Sequence, residues 1–224
     1  MEDLNFLDIL KDQVTPALGC TEPIAVALAV AKARETLGSF PDKIKIKVDR
    51  NIFKNALAVG IPGTKEKGLH MAVALALLAG KSEYGLEVLK DITSKDVLKA
   101  KEIIKRNIID VTIARNIVGL YVEVEAFSNL GKTKVIIKDK HDNIVIVQRN
   151  DQVIFKKAEA EQQQVSLIQS MKKMRIRDFV EFADRVDIKL LDLVEKGIKM
   201  NKKIAEAGMA SKYGKVLGNG LSVH

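Results

Sequence analysis

TEPIAVALAVAKARETL, residues 21–37, decides the fold, because it predicts a helix that is apolar around most of its circumference. Thr21 can cap this helix, Glu22 suits its positive end, and Pro23 is tolerated in its first turn. Gly38 fits as the stop. A helix without a polar face is buried on every side. We therefore predict that the helix Thr21–Leu37 lies inside the core.

A second run, LHMAVALALLA at residues 69–79, repeats this pattern and predicts another buried helix. Alternating apolar and polar residues predict strands elsewhere in the chain, the last three or four of which form an antiparallel meander. The predicted strands cover residues 43–49, 120–127, 134–139, 144–148 and 153–155. The other predicted helices cover residues 3–13, 85–91, 94–107, 160–173, 176–184 and 188–207. Residues 51–55 are predicted as a turn or a single helical turn, and residues 208–224 as a loop. The sum is an α+β fold in which Ala/Val-rich helices pack on a small, mostly antiparallel sheet, followed by carboxyl-terminal helices.

The composition sets the broad class. The chain has 224 residues, 47% of them apolar and 29% charged, which is ordinary for a globular domain. We expect one domain over residues 1–224, with a sub-boundary near residues 110–118 where the hydrophobic period changes. A single cysteine excludes an intrachain disulfide. The apolar windows are too short to span a bilayer and the amino terminus lacks signal-peptide features, so we expect no membrane partner and a cytoplasmic location.

The charge raises the question of an anionic partner. The formal net charge is +8, which a lysine-rich solvated surface accounts for. Aromatic residues make up only 4% of the chain and tryptophan is absent, so stacking platforms for single-stranded nucleic acid are scarce. No arginine-rich run or RNA-recognition motif compensates. We therefore expect no nucleic-acid partner.

Cys20 is the first candidate for chemistry, because it directly precedes the predicted helix. Helix-end N–H groups stabilise anions, so a thiolate at this position is expected to have a lowered pKa. Such a thiolate suits a metal ligand, a base or a nucleophile. The competing interpretation is a small buried apolar residue, the role of most free cysteines.

Two further segments carry polar groups. Asn51, Lys54 and Asn55 fall within one turn after a strand, and the loop that contains Gly63 and Thr64 precedes the second buried helix. Backbone N–H groups at such a helix start can bind a carboxylate or phosphate. The glycine spacing is not that of a P-loop, and a tight structural connection explains the loop equally well.

His141 lies in the turn KDKHDNIV, where Asp142 and Asn143 are typical turn residues. On these facts alone an exposed turn histidine is favoured. His70 opens the second buried helix and could cap it or line the same anion site.

At these residues the sequence resembles a known family. PALGCTEPIAVALAVAKA, residues 16–33, is similar to the signature of the L-cysteine desulfidase family, which is of the iron–sulfur serine dehydratase alpha-chain type. Residues 51–64 and 141–151 resemble two further family segments. KYGKVLGNGL, residues 212–221, resembles the run that leads into the family's second half. Lys65 stands where the family pattern has a glycine.

The resemblance implies a lyase without pyridoxal phosphate, which converts L-cysteine to pyruvate, ammonia and sulfide with a [4Fe–4S] cluster. It implies that Cys20 is a cluster ligand or the base, and that His141 is catalytic. The substrate amino acid would be bound by Thr21, Glu22, Asn51, Lys54, Asn55, Gly63, Thr64 and Asn143.

The resemblance also implies that this chain is incomplete. A [4Fe–4S] cluster normally needs three or four cysteines, and this chain has one. The family's other cluster cysteines lie in the second half, so we expect a missing carboxyl-terminal half or a separate subunit as partner, and the chain alone to be inactive. A homo-oligomer is compatible with this.

Two other functions stay open. An L-serine dehydratase half would use the same residues with hydroxide as the leaving group. A truncated, cluster-free domain that binds a small anion or a partner chain would explain the missing cysteines without any catalysis.

Overall fold

A computed structural model describes residues 4–157, 171–172 and 174–210, and the fold is α+β. The strands are β1 (Lys43–Val48), β2 (Ile109–Ile113), β3 (Tyr121–Ser128), β4 (Gly131–Lys138), β5 (Ile144–Arg149) and β6 (Gln152–Lys156). The helices include α1 (Leu4–Gln13), α2 (Thr21–Leu37), α3 (Arg50–Ala56), α4 (Leu69–Ala79), α5 (Ser94–Lys105), α6 (Ile176–Arg185) and α7 (Asp192–Ala210), with 3₁₀ helices at Ser82–Glu87 and Ile188–Leu191.

The chain divides into two compact units. One comprises residues 17–159 and holds the sheet, and the other comprises residues 1–16 and 160–224. The sub-boundary expected near residues 110–118 falls inside the sheet-bearing unit, because β2 and β3 on either side of it belong to one sheet.

The sheet-bearing unit has six strands in the order β2-β1-β3-β4-β5-β6. The predicted antiparallel meander is confirmed for β3 to β6, and β1 joins it antiparallel to β3. β2 was not predicted, because IDVTI is short and its surface is only partly covered. It pairs in parallel with β1, and the helices α3 to α5 make the crossover that a parallel pair needs.

The two apolar helices form the core, as predicted. α2 packs on β3 and β4 and also contacts α4. From Pro23 to Ala31 every residue of α2 is buried, and α4 is buried from Met71 to Leu77. A helix covered on several sides in this way needs the all-round apolar sequence that both segments have.

Arg34 joins the two core helices. Its guanidinium donates hydrogen bonds to the backbone oxygens of Ala76, Leu77 and Gly80 at 3.2, 3.0 and 2.7 Å. Ala76 and Leu77 lie near the carboxyl end of α4 and Gly80 is its cap residue, so these carbonyls belong to the helix end, where few have a partner within the helix; the Ala76 oxygen also accepts from the Gly80 backbone N–H at 3.2 Å. A cation at a helix carboxyl end is also favoured by the helix dipole, so Arg34 acts as a cap supplied by the neighbouring helix.

Two predicted boundaries in this unit were wrong. The predicted helix over residues 85–91 is a 3₁₀ helix at Ser82–Glu87, interrupted because Gly85 has φ +52°. The segment 51–55, predicted as a turn or a single helical turn, is helical but longer: it is the helix α3, which begins at Arg50 because Asp49 caps it.

The second unit contains α1, α6 and α7. Phe6 of α1 stacks on Phe182 of α6, with ring centroids 4.6 Å apart, and meets Phe179 edge to face. The predicted helices at 176–184 and 188–207 are confirmed apart from their ends. The loop predicted from residue 208 is wrong at its start, because α7 extends to Ala210; the rest of that loop and most of the helix predicted over 160–173 lie outside the described residues.

Among the described residues, no helix combines the length and the apolar character needed to cross a membrane.

Candidate active site

Cys20 stands at the start of α2 because the chain turns sharply just before it. Gly19 has φ +75°, which glycine adopts without strain. A Cβ on Gly19 would overlap the ring of Pro62, so the loop after α3 lies directly against this turn. Cys20 itself is extended, with φ −71° and ψ 128°, and occupies the cap position, while Thr21 is the first helical residue. The expectation that Thr21 caps α2 is therefore wrong.

Glu22 is the centre of the polar cluster. Its Oε2 accepts a hydrogen bond from Cys20 Sγ at 2.7 Å, and its Oε1 accepts one from Asn55 Nδ2 at 3.0 Å. Both Cys20 and Glu22 are half-buried. Each carboxylate oxygen thus holds one predicted site residue, which fixes the thiol and the amide on opposite sides of the carboxylate. We call Cys20, Glu22 and Asn55, with His141, the Glu22 cluster.

The thiol of Cys20 is not the low-pKa thiolate that its place at a helix end predicts. Burial raises its pKa above the usual range, and the hydrogen bond to the Glu22 carboxylate raises it further. The backbone N–H of Glu22 acts in the opposite direction but does not prevail. The stabilisation of a thiolate by the helix end is therefore smaller than the combined opposing effects of burial and of the neighbouring carboxylate.

The pKa of Glu22 moves the other way. It is lowered chiefly by the hydrogen bond from Cys20, and also by the amide of Asn55 and the charge of His141, against the effect of burial. At neutral pH the pair is therefore a neutral thiol donating to a carboxylate.

His141 belongs to the cluster through its charge. It lies half-buried in the turn between β4 and β5, close enough to Glu22 to lower the pKa of that carboxyl. Asn143 holds the turn in shape: its Nδ2 donates to the Lys138 oxygen at 2.9 Å, and its Oδ1 accepts from Lys157 Nζ at 2.6 Å. The polar atoms of Asn143 are thus engaged in the turn, where they support His141.

Asp49 positions Asn55, and the sequence interpretation overlooked it. Asp49 is buried, and its Oδ1 accepts from the backbone N–H groups of Asn51 and Ile52, which starts α3. Its Oδ2 accepts from the backbone N–H of Tyr121 at 3.0 Å, which ties α3 to β3. An aspartate directly after a strand and before a polar run is a helix-cap signal that could have been used.

Two predicted residues of α3 lie apart from the cluster. The side chains of Asn51 and Lys54 are exposed, and the backbone N–H of Asn51 serves the cap of its own helix. Only Asn55, one turn after Asn51, reaches Glu22.

The loop with Gly63 and Thr64 bonds mainly to itself. Thr64 Oγ1 donates to the Ile61 oxygen at 2.9 Å and accepts from the backbone N–H of Glu66 at 3.0 Å. The backbone N–H of Thr64 also donates to Ile61, and that of Gly68 to Val59. These bonds use several of the donors that were expected to bind an anion. His70 is exposed on the surface of α4, which begins after Gly68 and not at a histidine cap.

Gly63 is the residue of this loop that has free space around its Cα. It has φ +74° and nothing within 4 Å of a Cβ built on it. Since Pro62 beside it contacts Gly19, the loop approaches the start of α2 and leaves free space at Gly63.

The described residues do not fit a [4Fe–4S] cluster by themselves. Cys20 is the one cysteine of the chain, and it already donates to Glu22. No group of three or more His, Cys, Asp or Glu side chains that could hold a metal ion occurs within the described part of the chain. What the cluster residues do here is hold a neutral thiol against a carboxylate.

Comparison with known proteins finds relatives of unassigned activity. The chain is 45% identical over 214 residues to a UPF0597 protein of Clostridium tetani, covering 95% of this chain and 51% of the relative. It is 46% identical over 215 residues to a UPF0597 protein of Caldanaerobacter subterraneus, with 96% and 51% coverage. A UPF0597 protein of Parabacteroides distasonis is 38% identical over 218 residues, with 96% and 50% coverage.

Two other comparisons found no counterpart. No protein-family model matches the sequence, and no solved structure matches it. The chain spans about half of the length of the curated relatives that it matches.

Proposed function

We propose that this chain is the amino-terminal half of an iron–sulfur lyase of the L-cysteine desulfidase type, with the Glu22 cluster as its proton-transfer site. The observation that carries the proposal is the Cys20 thiol held on the Glu22 carboxylate at 2.7 Å. This pair lies within the segment on which the resemblance to the family is most specific.

The reaction needs a base at the substrate Cα. Elimination removes a proton from Cα and sulfide from Cβ, and water then converts the resulting enamine to pyruvate and ammonia. A thiol with a raised pKa yields a strongly basic thiolate once its proton leaves. Glu22 has the lower pKa of the two, so the proton rests on sulfur and no free thiolate is exposed at rest. The group that removes this proton is assigned to the complementary half.

The other cluster residues assist by charge and position. Asn55 fixes the Glu22 carboxylate from the side opposite Cys20, so the thiol keeps its direction. His141 lies close enough to Glu22 to contribute to the lowered pKa of that carboxyl, after the hydrogen bonds from Cys20 and Asn55. Stabilisation of the leaving sulfide is not found among the described residues and falls to the complementary half.

Complementation tests this function. The chain is combined with the remaining half of the Clostridium tetani relative under anaerobic iron–sulfur reconstitution, and sulfide and pyruvate are measured with L-cysteine and with L-serine. We expect sulfide release by the pair and none by the chain alone. Cys20→Ala should abolish turnover, whereas Glu35→Gln, a matched carboxylate change farther along α2, should preserve it. Turnover that survives Cys20→Ala would overturn the proposal, and turnover of L-serine alone would make the enzyme a serine dehydratase.

A non-catalytic binding domain is the second candidate, since one cysteine and no metal-binding group occur within the described ranges. It predicts that the reconstituted pair forms no cluster absorbance and turns over neither amino acid.

A further inference from the structure

The last strand of the sheet is unusually apolar for an edge. β6 ends the strand order, and all five of its residues are exposed. Val153, Ile154 and Phe155 keep 51, 58 and 47% of their surface in solvent. Natural sheets protect such edges with charge, proline or a covering element, because a free edge accepts another strand. Three consecutive exposed apolar residues on an edge strand therefore indicate a surface that another segment covers.

A groove runs between this edge and α2. Its volume is about 490 Å³, and Phe155 continues the inner face of the sheet there, because it pairs with the buried Val147. The lining residues are Lys32, Thr36, Asp142, Ile144, Val147, Ile154, Phe155 and Lys157. The groove is thus lined by apolar side chains, and two of its three charged lining residues are lysines.

The groove adjoins the turn that carries His141. Asp142, which lines it, follows His141 directly, and Lys157, which also lines it, donates to Asn143 in the same turn at 2.6 Å. A segment seated in the groove would contact the turn that carries His141.

The length of the relatives identifies the occupant. They match this chain at 45–46% identity over nearly its whole length, yet they are about twice as long. In the relatives the remaining half is covalently joined to the half that this chain matches, so it is held at high effective concentration beside any exposed surface of that half. We propose that β6 and the groove are the docking surface for that remaining half, which adds a strand to the free edge of β6 and places an apolar side chain in the groove. This rests on the relatives' length and the exposed edge, and not on the proposed lyase activity.

A binding experiment tests the docking surface without any activity measurement. The probe is the remaining half of the Clostridium tetani relative, expressed as a tagged polypeptide and titrated with this chain. We expect a one-to-one complex in which the backbone amides of residues 152–156 gain protection from hydrogen exchange. Ile154→Glu combined with Phe155→Glu should weaken binding about tenfold or more, because two charges would enter an apolar interface.

The matched control is Leu98→Glu combined with Val118→Glu, two exposed apolar residues of the same unit at 66 and 101% exposure. This control should bind as the unaltered chain does, and circular dichroism should show both variants folded. Equal binding by the β6 variant, unchanged exchange at residues 152–156, or no complex at about 10 µM would overturn the proposal. Self-association of the chain that the β6 variant abolishes would assign the edge to a second copy instead.

Discussion

α2 and α7 are helices of similar length, 17 and 19 residues, with opposite fates. α2 is buried along most of its length, whereas α7 has no buried residue. Both contain many apolar residues, but those of α2 surround the helix, whereas those of α7 are interspersed with lysines and acidic residues. Apolar content alone therefore does not decide burial. The distribution of the apolar residues around the helix axis also matters. In α2 it buries most of the helix, and the polar side chain of the candidate site, Glu22, lies in the first turn.

The largest effect should come from emptying the core at α2. Ile24 is fully buried, so Ile24→Ala removes its packing and leaves a cavity. We expect a loss of about 2–5 kcal/mol in the free energy of unfolding, measured by denaturant titration. A loss below about 1 kcal/mol would mean that α2 is not packed as described.

The turn before α2 should be nearly as sensitive. Gly19→Ala introduces strain at φ +75° and a clash with Pro62, whereas Gly63→Ala introduces strain at a similar φ without a clash. We expect Gly63→Ala to cost about 1–2 kcal/mol and Gly19→Ala about 1–3 kcal/mol more. Equal losses in thermal or denaturant unfolding would contradict the contact between Gly19 and Pro62.

A smaller, pH-dependent effect should come from Glu22. Its pKa is lowered in the folded state, so its contribution to stability is present at neutral pH and is lost as the pH falls through the lowered pKa. The difference in unfolding free energy between the unaltered chain and Glu22→Gln should therefore shrink on acidification. A difference that is constant or grows toward acid pH would contradict the hydrogen bonds to the carboxylate.

The smallest effect should come from the same isoleucine-to-alanine change in α7. Ile204 is 74% exposed, and alanine has the higher helix propensity, so Ile204→Ala should change the stability of the isolated chain by no more than about 0.5 kcal/mol. A loss comparable to that of Ile24→Ala would erase the contrast between the two helices.

The spacing of apolar residues along the sequence correctly predicted those helices and strands whose hydrophobic pattern is visible within a short segment. The all-round apolar runs of α2 and α4 and the alternation in β3 to β6 are of this kind, so they were found. β2 was missed although IDVTI alternates apolar and polar residues, because the segment is short and only partly buried. The capping role of Arg34 was missed because its partners lie more than 40 residues away.

The sequence interpretation named the four residues of the Glu22 cluster among a larger set of candidates, but not their arrangement or electrostatics. Cys20, Glu22, Asn55 and His141 were all proposed from the sequence. The sequence could not show that Glu22 bonds Cys20 and Asn55 together, because Asn55 arrives from another helix. The pKa of Cys20 was predicted in the wrong direction, because burial and a carboxylate two residues away outweigh the helix end.

The central claim is that Glu22 holds the thiol of Cys20, and titration of that thiol tests it most directly. The chain has one cysteine, so the ultraviolet absorbance of thiolate reports a single site. Burial and the Glu22 carboxylate should place the pKa of the thiol above that of an ordinary cysteine. Glu22→Gln should lower this pKa, because the negative charge is removed, while Glu35→Gln should leave it unchanged. A thiol that titrates below the ordinary range, or a pKa that Glu22→Gln does not move, would contradict the account.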